Sequence, residues 1–143
     1  MALIEKRHPA LRGLIRLWRS RASDDVLPRA SALTPDQLAD LAGQTVMLTL
    51  DQSGEQLVIA ESGSAVDALY GASMRGRPAA GLSPERDDAE REARAAIAAG
   101  RPLLIEDELP YAGSRRRIAR LYLPLSHDDG SPDGVLCGVV AVA

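Results

Sequence analysis

The end of the chain decides the fold, in the stretch LLIEDELPYAGSRRRIARLYLPLSHDDGSPDGVLCGVVAV, residues 103–142. It contains three runs rich in apolar residues, separated by short segments with Pro, Gly, Ser and Asp. Because these segments are short enough for hairpins, the runs predict three successive antiparallel strands, at 103–109, 116–125 and 135–142. The last run is apolar on both faces, which predicts a central strand or one covered by another element, such as the first helix.

Two further strands are predicted earlier in the chain, at 45–50 and 56–60, joined by turn residues. Between these two strands and the last three, a helix is predicted to begin at a Ser83–Pro84 cap and to end at Gly100. Its narrow apolar stripe consists of Ala89, Ala93, Ala96 and Ile97. Small alanines would let this helix pack closely on a sheet.

An amphipathic helix is predicted near the start of the chain, because apolar residues recur there at intervals of three and four. The apolar row consists of Leu11, Leu14, Ile15, Trp18 and Ala22, and Arg12, Arg16 and Arg19 form a separate row. The apolar row needs a cover, which its own sheet or a second copy can supply. Residues 1–30 hold seven Lys and Arg against three Asp and Glu, which favours an anionic partner for this segment.

Length and composition indicate one globular domain, since 143 residues with 45% hydrophobic and 26% charged residues are typical of a single fold. The single cysteine, Cys137, excludes an intramolecular disulfide and a cysteine-cluster metal site. No secretory hydrophobic region develops at the start, and no apolar run approaches the roughly 20 residues of a membrane helix. The sequence therefore predicts a cytoplasmic protein without a transmembrane segment.

Short motifs accompany this order of elements. They are Trp18 in the first helix, Leu27–Pro28–Arg29, Pro35 with Leu38, Gly63–Ser64, Tyr70–Gly71, Gly76 and Leu123–Pro124–Leu125. In order and position they resemble a bacterial group related to the PAS domain that has long been described as a domain of unknown function. The second strand departs from the group, because 57–60 lacks the expected aromatic residue and arginine.

The resemblance implies an α+β fold with a PAS-like five-stranded antiparallel sheet, helices on one face and a preceding amphipathic helix. Residues 1–30 would form that helix and a linker, and residues 31–143 a PAS-like sensory domain, the two making one structural unit. A hollow between sheet and helices can hold a ligand or be filled by side chains. The candidate pocket residues are Leu48, Val58, Tyr70, Met74, Ile97, Leu121 and Leu123, all of which ordinary core packing also explains.

Known cofactor chemistries of PAS domains find little support here. His8 and His127 both lie outside the helical middle of the chain, which argues against haem, and Cys137 lies on the last strand, which argues against flavin photochemistry. The acidic loop at 127–134 is typical of a solvated hairpin turn rather than of a cation site. The glycines at 71–76 do not form a nucleophile elbow, and no phosphate-binding glycine loop occurs. The sequence therefore predicts no enzyme, and the cofactor stays unknown.

The arginines that could bind nucleic acid are Arg115, Arg116, Arg117 and Arg120, with Arg75 and Arg77. For these the sequence favours a solvated rim, or pairing with Glu106 and Glu108 across the strands, over nucleic-acid binding. The sequence thus predicts a stand-alone PAS-type sensory or regulatory domain that signals through protein contacts with a second copy or another signalling protein. An interior small ligand would modulate it. The predicted dimer or partner interface is Leu11, Leu14, Ile15 and Trp18. The alternatives are binding of the basic helix to a membrane surface, and an unrecognised enzyme.

Overall fold

The computed structural model describes residues 8–23, 26–85, 88–111, 113–126 and 132–142. The helices of this part are α1 (Pro9–Arg21), α2 (Pro35–Leu38), α3 (Ser64–Tyr70) and α4 (Ala89–Ala99). Short 3₁₀ turns occupy Ala30–Ala32, Ala39–Gln44 and Ala79–Leu82. The strands are β1 (Thr45–Leu50), β2 (Leu57–Ser62), β3 (Leu103–Tyr111), β4 (Ser114–Ser126) and β5 (Pro132–Ala141). The five predicted strands are confirmed.

The strands form one antiparallel sheet in the order β2-β1-β5-β4-β3. This order places β5 at the centre, between β1 and β4, although it comes last in the chain. Because successive side chains of a strand point to opposite faces, each strand divides its residues between two layers. The predicted five-stranded antiparallel sheet of an α+β fold is confirmed.

Helices α3 and α4 and the 79–82 turn cover one face of the sheet, which we call the inner face. The strand residues buried there are Val46, Leu48, Leu57, Ile59, Leu109, Ile118, Tyr122, Val135, Cys137 and Val139. Three alanines of α4, Ala89, Ala93 and Ala96, pack with them at no more than 1% exposure. The small-residue stripe predicted from the sequence is therefore the contact side of this helix.

Helix α4 begins later than its sequence signals indicate. The Ser83–Pro84 pair was expected to cap it, but the first helical residue is Ala89, preceded by Asp88 at the N-cap position. Ser83 nevertheless serves the helix, because its Oγ accepts the backbone N–H of Ala89 at 2.8 Å. A side-chain oxygen six residues upstream thus replaces the predicted local cap.

The opposite face of the sheet, which we call the outer face, is covered by α1. Its apolar row packs on strand residues Ala119, Leu121, Leu123, Leu125, Leu136 and Val140. Gly138 of β5 permits this contact, because a Cβ there would lie 2.5 Å from Leu14 Cδ1 and 2.9 Å from Leu11 Cδ2. Central β5 is therefore buried on both faces, as its uninterrupted apolar sequence predicted.

One non-glycine residue of the described chain has a positive φ, Ala39 with φ 51° and ψ −122°. Glycine adopts this conformation without the steric cost that a Cβ imposes. We expect Ala39→Gly to raise the free energy of unfolding by about 1 kcal/mol, measured by urea denaturation. Ala98→Gly, on the exposed side of α4, is the control and should lower it by about 0.5–1 kcal/mol; the same sign for both would contradict the assignment of strain to Ala39.

Candidate functional site

Among the residues that the structure describes, the inner face contains one fully buried charged side chain, Arg120 of β4, at 0% exposure. Arg120 and Tyr122 are two residues apart on the strand, so both side chains enter the layer between sheet and helices. Around them, α4 contributes Glu92 and β3 contributes Asp107. This group of four residues, which we call the arginine cluster, lies where the fold encloses its interior.

The contacts of the arginine cluster are short and complete. Arg120 Nη2 lies 3.0 Å from Glu92 Oε1, and Nη1 lies 3.1 Å from Asp107 Oδ2. The guanidinium also donates from Nε to Tyr122 Oη at 2.9 Å and from Nη1 to the Leu82 carbonyl at 3.3 Å. The Tyr122 hydroxyl in turn donates to Glu92 Oε1 at 2.7 Å. Every buried side-chain nitrogen and oxygen of the described residues has a hydrogen-bond partner.

The arginine cluster joins four parts of the fold: β4, β3, α4 and the 79–82 turn. A second bond to this turn comes from Tyr70 of α3, whose hydroxyl donates to the same Leu82 carbonyl at 2.7 Å. A buried ion pair contributes little net stability when it is complete, because desolvation offsets the attraction. Losing one partner is costly, since a buried charge is then left uncompensated. The helix layer and the sheet are therefore tied to one another through a small set of polar contacts.

Burial controls the ionisation of the neighbouring groups. It raises the pKa of the Cys137 thiol to about 12 and raises the pKa values of Tyr122 and Tyr70 above their usual range, while the charge of Arg120 opposes all three shifts. Burial lowers the pKa of Arg120, but its contacts with Tyr122 and Glu92 outweigh this and raise it overall. The thiol and both phenols therefore stay protonated at neutral pH. Arg120 stays charged.

The predicted pocket residues do not line a single cavity. Leu48 and Met74 are buried on the inner face, where Tyr70 and Ile97 are partly buried. Leu121 and Leu123 lie on the outer face, packed with α1. Val58 alternates with the inward-facing Leu57 and Ile59 and forms a bridge with Pro78. The prediction of an interior position was wrong for Leu121 and Leu123 of β4. Both faces of that strand are apolar, and its even-numbered residues from 118 to 122 are the ones that point to the inner face, under α3 and α4. Contact of a ligand with the four residues on the inner face, Leu48, Tyr70, Met74 and Ile97, stays a prediction.

The predicted partner interface is also placed differently. Leu11, Leu14, Ile15 and Trp18 are 0, 1, 0 and 8% exposed, because α1 docks on its own sheet. Trp18 Nε1 donates to the Pro124 carbonyl at 2.9 Å. At the start of α1, His8 Nε2 lies 3.0 Å from Glu106 Oε1 of β3. Of the two covers considered for this row, the chain's own sheet is the one observed. With Trp18 held inside, the apolar side of α1 is not open to a membrane surface.

The arginine cluster is the functional candidate that the sequence interpretation missed, because Arg120 was grouped with the solvated arginines of the hairpin. Pairing across that hairpin is confirmed for two of them: Arg115 Nε lies 2.7 Å from Glu108 Oε2, and Arg117 Nη2 lies 3.3 Å from Glu106 Oε2. The signal that distinguishes Arg120 is its spacing of two from Tyr122, within a strand that is otherwise apolar from 118 onward.

Two features of the described residues bear on the other sequence predictions, and one prediction falls outside those residues. No described helix has the length and apolar character needed to span a membrane. Within the same residues, no group of three or more His, Cys, Asp or Glu is arranged to hold a metal ion. The acidic loop at 127–131, with His127, lies outside the described residues.

Sequence comparison places this fold in a family. A family model described as a PAS domain matches residues 6–140, which is most of the chain. The chain therefore belongs to the PAS domain family, as the resemblance of its motifs predicted. No curated protein matches it significantly.

Solved structures agree on the fold at low sequence identity. A fungal LOV domain photoreceptor matches with a TM-score of 0.56 and 18% identity, over 99% of this chain and 100% of that one. A PAS domain from Colwellia psychrerythraea matches with a TM-score of 0.54 and 16% identity, over 75% and 95%. VqmA of Vibrio cholerae, described as a DNA-binding receptor, matches with 0.58 and 17%, over 78% of this chain and 51% of that one. At such identities the likeness concerns the fold alone.

Proposed function

We propose that this chain is a sensory or regulatory module that passes a signal through protein contacts and has no catalytic activity of its own. The match of the PAS domain model to residues 6–140 carries the proposal, because domains of this family are generally sensory rather than catalytic. The interior chemistry supports it as well. Nucleophiles and general bases need lowered or near-neutral pKa values, whereas burial raises those of Cys137, Tyr70 and Tyr122.

The arginine cluster is the part of the interior that we propose responds to a signal. Its four residues come from three elements, and of these α4 is tied to Arg120 through Glu92, whereas β3 is also held to β4 by the strand ladder. A small anionic ligand that replaces the Glu92 carboxylate on Arg120 would keep the buried charge compensated while releasing α4. A ligand of this kind shifts the population of the two arrangements by its difference in affinity for them.

The contact surface that we propose is the solvent side of α1. Its apolar side is occupied by the sheet, which leaves the arginine row facing outward. Arg12 and Arg16 are exposed, lie one helical turn apart and form no ion pair among the described residues. Helix α1 itself contains no acidic residue. An acidic surface complements this row, either on another signalling protein or on a second copy of this chain, whose net charge is −3.

Charge reversal tests the proposal. We expect Arg12→Glu combined with Arg16→Glu to leave thermal stability unchanged and to abolish cross-links between the tagged chain and its partner in living bacterial cells. Arg75→Glu combined with Arg101→Glu is the matched control, because both arginines are exposed and lie outside α1; it should keep the cross-links.

Native mass spectrometry of both variants reports the copy number and any bound small molecule in the same spectrum. Cross-links that survive in the α1 variant would contradict the proposed surface. Salt-resistant co-sedimentation with anionic vesicles would instead favour the membrane alternative. The tagged chain also reports the location of the protein in the same cells. We propose that this location is the cytoplasm, which is consistent with the free, buried thiol of Cys137.

A further inference from the structure

The outer face of the sheet has a crevice that the docking of α1 leaves open. Its volume is about 320 Å³, within the range of small-molecule sites, and its lining contains no residue of α1. The crevice lies on the opposite side of the sheet from the arginine cluster. It is therefore separate from the interior in which the proposed function places a ligand.

One row of paired strand residues forms the floor of the crevice. Met47 of β1 pairs with Glu61 of β2 on one side and with Leu136 of β5 on the other. The three side chains therefore lie in line across three strands, on the outer face. Leu136 is 1% exposed, whereas the Glu61 side chain is 59% exposed. The floor thus runs from a buried apolar end to a carboxylate at the open rim.

The segment between α1 and β1 forms the wall. Leu33 and Leu38 line the crevice at 0 and 4% exposure, together with Pro35 between them. Gln37 fixes the local backbone, because its Oε1 accepts the Thr34 backbone N–H at 3.2 Å. The wall and the buried end of the floor are therefore apolar, which suits a hydrocarbon group.

Charge at the rim selects the kind of occupant. Among the described residues that line the crevice, Glu61 alone is charged, and it would repel an anionic ligand. Within the part of the chain that the structure describes, Glu61 forms an ion pair with Arg75, whose Nη2 lies 3.8 Å from Glu61 Oε1 and whose side chain is 69% exposed. Such exposed, long pairs contribute little and open readily. The carboxylate is therefore available to a ligand cation.

We propose that this crevice binds a small apolar amine, whose hydrocarbon part lies between Met47, Leu136 and the 33–38 wall while its ammonium group pairs with Glu61. Burial of the hydrocarbon part provides most of the affinity, and the charge-assisted hydrogen bond fixes the orientation. This site goes beyond the proposed function, because neither the arginine cluster nor the arginine row of α1 contributes to it.

Three probes with the same number of carbon atoms test the site: n-octylammonium, 1-octanol and octanoate. Each is titrated into the full-length protein, and binding is followed through the NMR shifts of the backbone amides. We expect n-octylammonium to saturate the shifts and to bind about tenfold more tightly than octanoate. The shifted amides should belong to β1, β2, β5 and residues 33–38. Shifts centred on the arginine cluster, equal affinity for octanoate, or no saturable binding of n-octylammonium would overturn the proposal.

Two substitutions of exposed residues separate the contribution of the charge to affinity from that of the apolar crevice. Glu61→Gln should reduce n-octylammonium affinity about tenfold and leave 1-octanol unaffected, and Arg75→Gln should raise n-octylammonium affinity about twofold by removing a competitor. Glu55→Gln, an exposed carboxylate in the β1–β2 turn, is the control and should change neither. A preference for the amine that persists in Glu61→Gln would also overturn the proposal.

Discussion

Replacing Arg120 with methionine lowers the free energy of unfolding by about 3–5 kcal/mol in our expectation. Methionine retains part of the side-chain volume, but it leaves Glu92 and Asp107 without their cation at sites only 11 and 15% exposed. The Leu82 carbonyl and the Tyr122 hydroxyl lose a donor in the same step. Urea denaturation followed by circular dichroism measures the loss.

Arg117→Met is the matched control on the same strand. Arg117 pairs with Glu106 at 3.3 Å, but its side chain is 57% exposed, so solvent replaces the lost contact. We expect a loss below about 1 kcal/mol. Similar losses for the two variants would mean that Arg120 is not held in a buried ion cluster.

A double-mutant cycle separates the pair from the rest of the cluster. Glu92→Gln removes the carboxylate charge that Arg120→Met leaves uncompensated, so the double variant should be more stable than the sum of the single losses predicts. We expect a coupling energy of about 1–3 kcal/mol between the two positions. Additive losses would show that Arg120 and Glu92 act independently.

We expect Gly138→Val to displace α1 from the sheet and to lower the free energy of unfolding by about 3 kcal/mol, at the upper end of overpacking effects. The Cβ alone would approach Leu14 Cδ1 to 2.5 Å and Leu11 Cδ2 to 2.9 Å, and valine adds two methyl groups beyond it. Trp18, the single tryptophan of the chain, reports the result directly, because it is 8% exposed while α1 is docked. Its fluorescence emission should shift to the red.

Gly43→Val is the control for the backbone effect of valine in place of glycine. A Cβ at Gly43 would meet Ser64 Oγ at 3.6 Å, an ordinary contact away from α1. We expect Gly43→Val to lower the free energy of unfolding by less than Gly138→Val does and to leave the tryptophan emission unchanged. If Gly138→Val keeps the blue-shifted emission and stability of the unchanged chain, α1 does not pack over β5 as described.

Much of the fold follows from local patterns. The 45–50 alternation and the turn after it identify β1, and Gly63 and Gly71 mark the two ends of α3. These signals are short-range, since they depend on side-chain period and on residues that favour turns. The start of α4 was harder to predict, because its first N–H is satisfied by Ser83 across a turn rather than by an adjacent cap.

The site was less predictable because it depends on contacts between distant parts of the chain. Arg120 meets Glu92 from a helix 28 residues away and Asp107 from the neighbouring strand. In the sequence it follows Arg115, Arg116 and Arg117, which are exposed. The two-sided burial of β4 also hid which of its residues face the helices, because α1 covers Leu121 and Leu123 as fully as the helix layer covers Tyr122.

The cover of α1 was left open in the sequence for a similar reason. An apolar row shows that a helix needs a partner surface but not which surface it receives. Gly138 is the residue that indicates the answer, since a glycine in a strand interior often marks the close approach of another element. With its apolar row enclosed, the helix presents its arginines, and the proposed contact surface changes accordingly.

The most direct test of the central claim, a charged arginine sealed between the sheet and the helices, is hydrogen exchange at the arginine side chains. In ¹⁵N NMR spectra, we expect the Nε–H of Arg120 to exchange far more slowly than those of exposed arginines such as Arg12 and Arg16, because it donates to Tyr122 Oη at 2.9 Å without access to water. Exchange of Arg120 as fast as that of the exposed arginines would contradict the account.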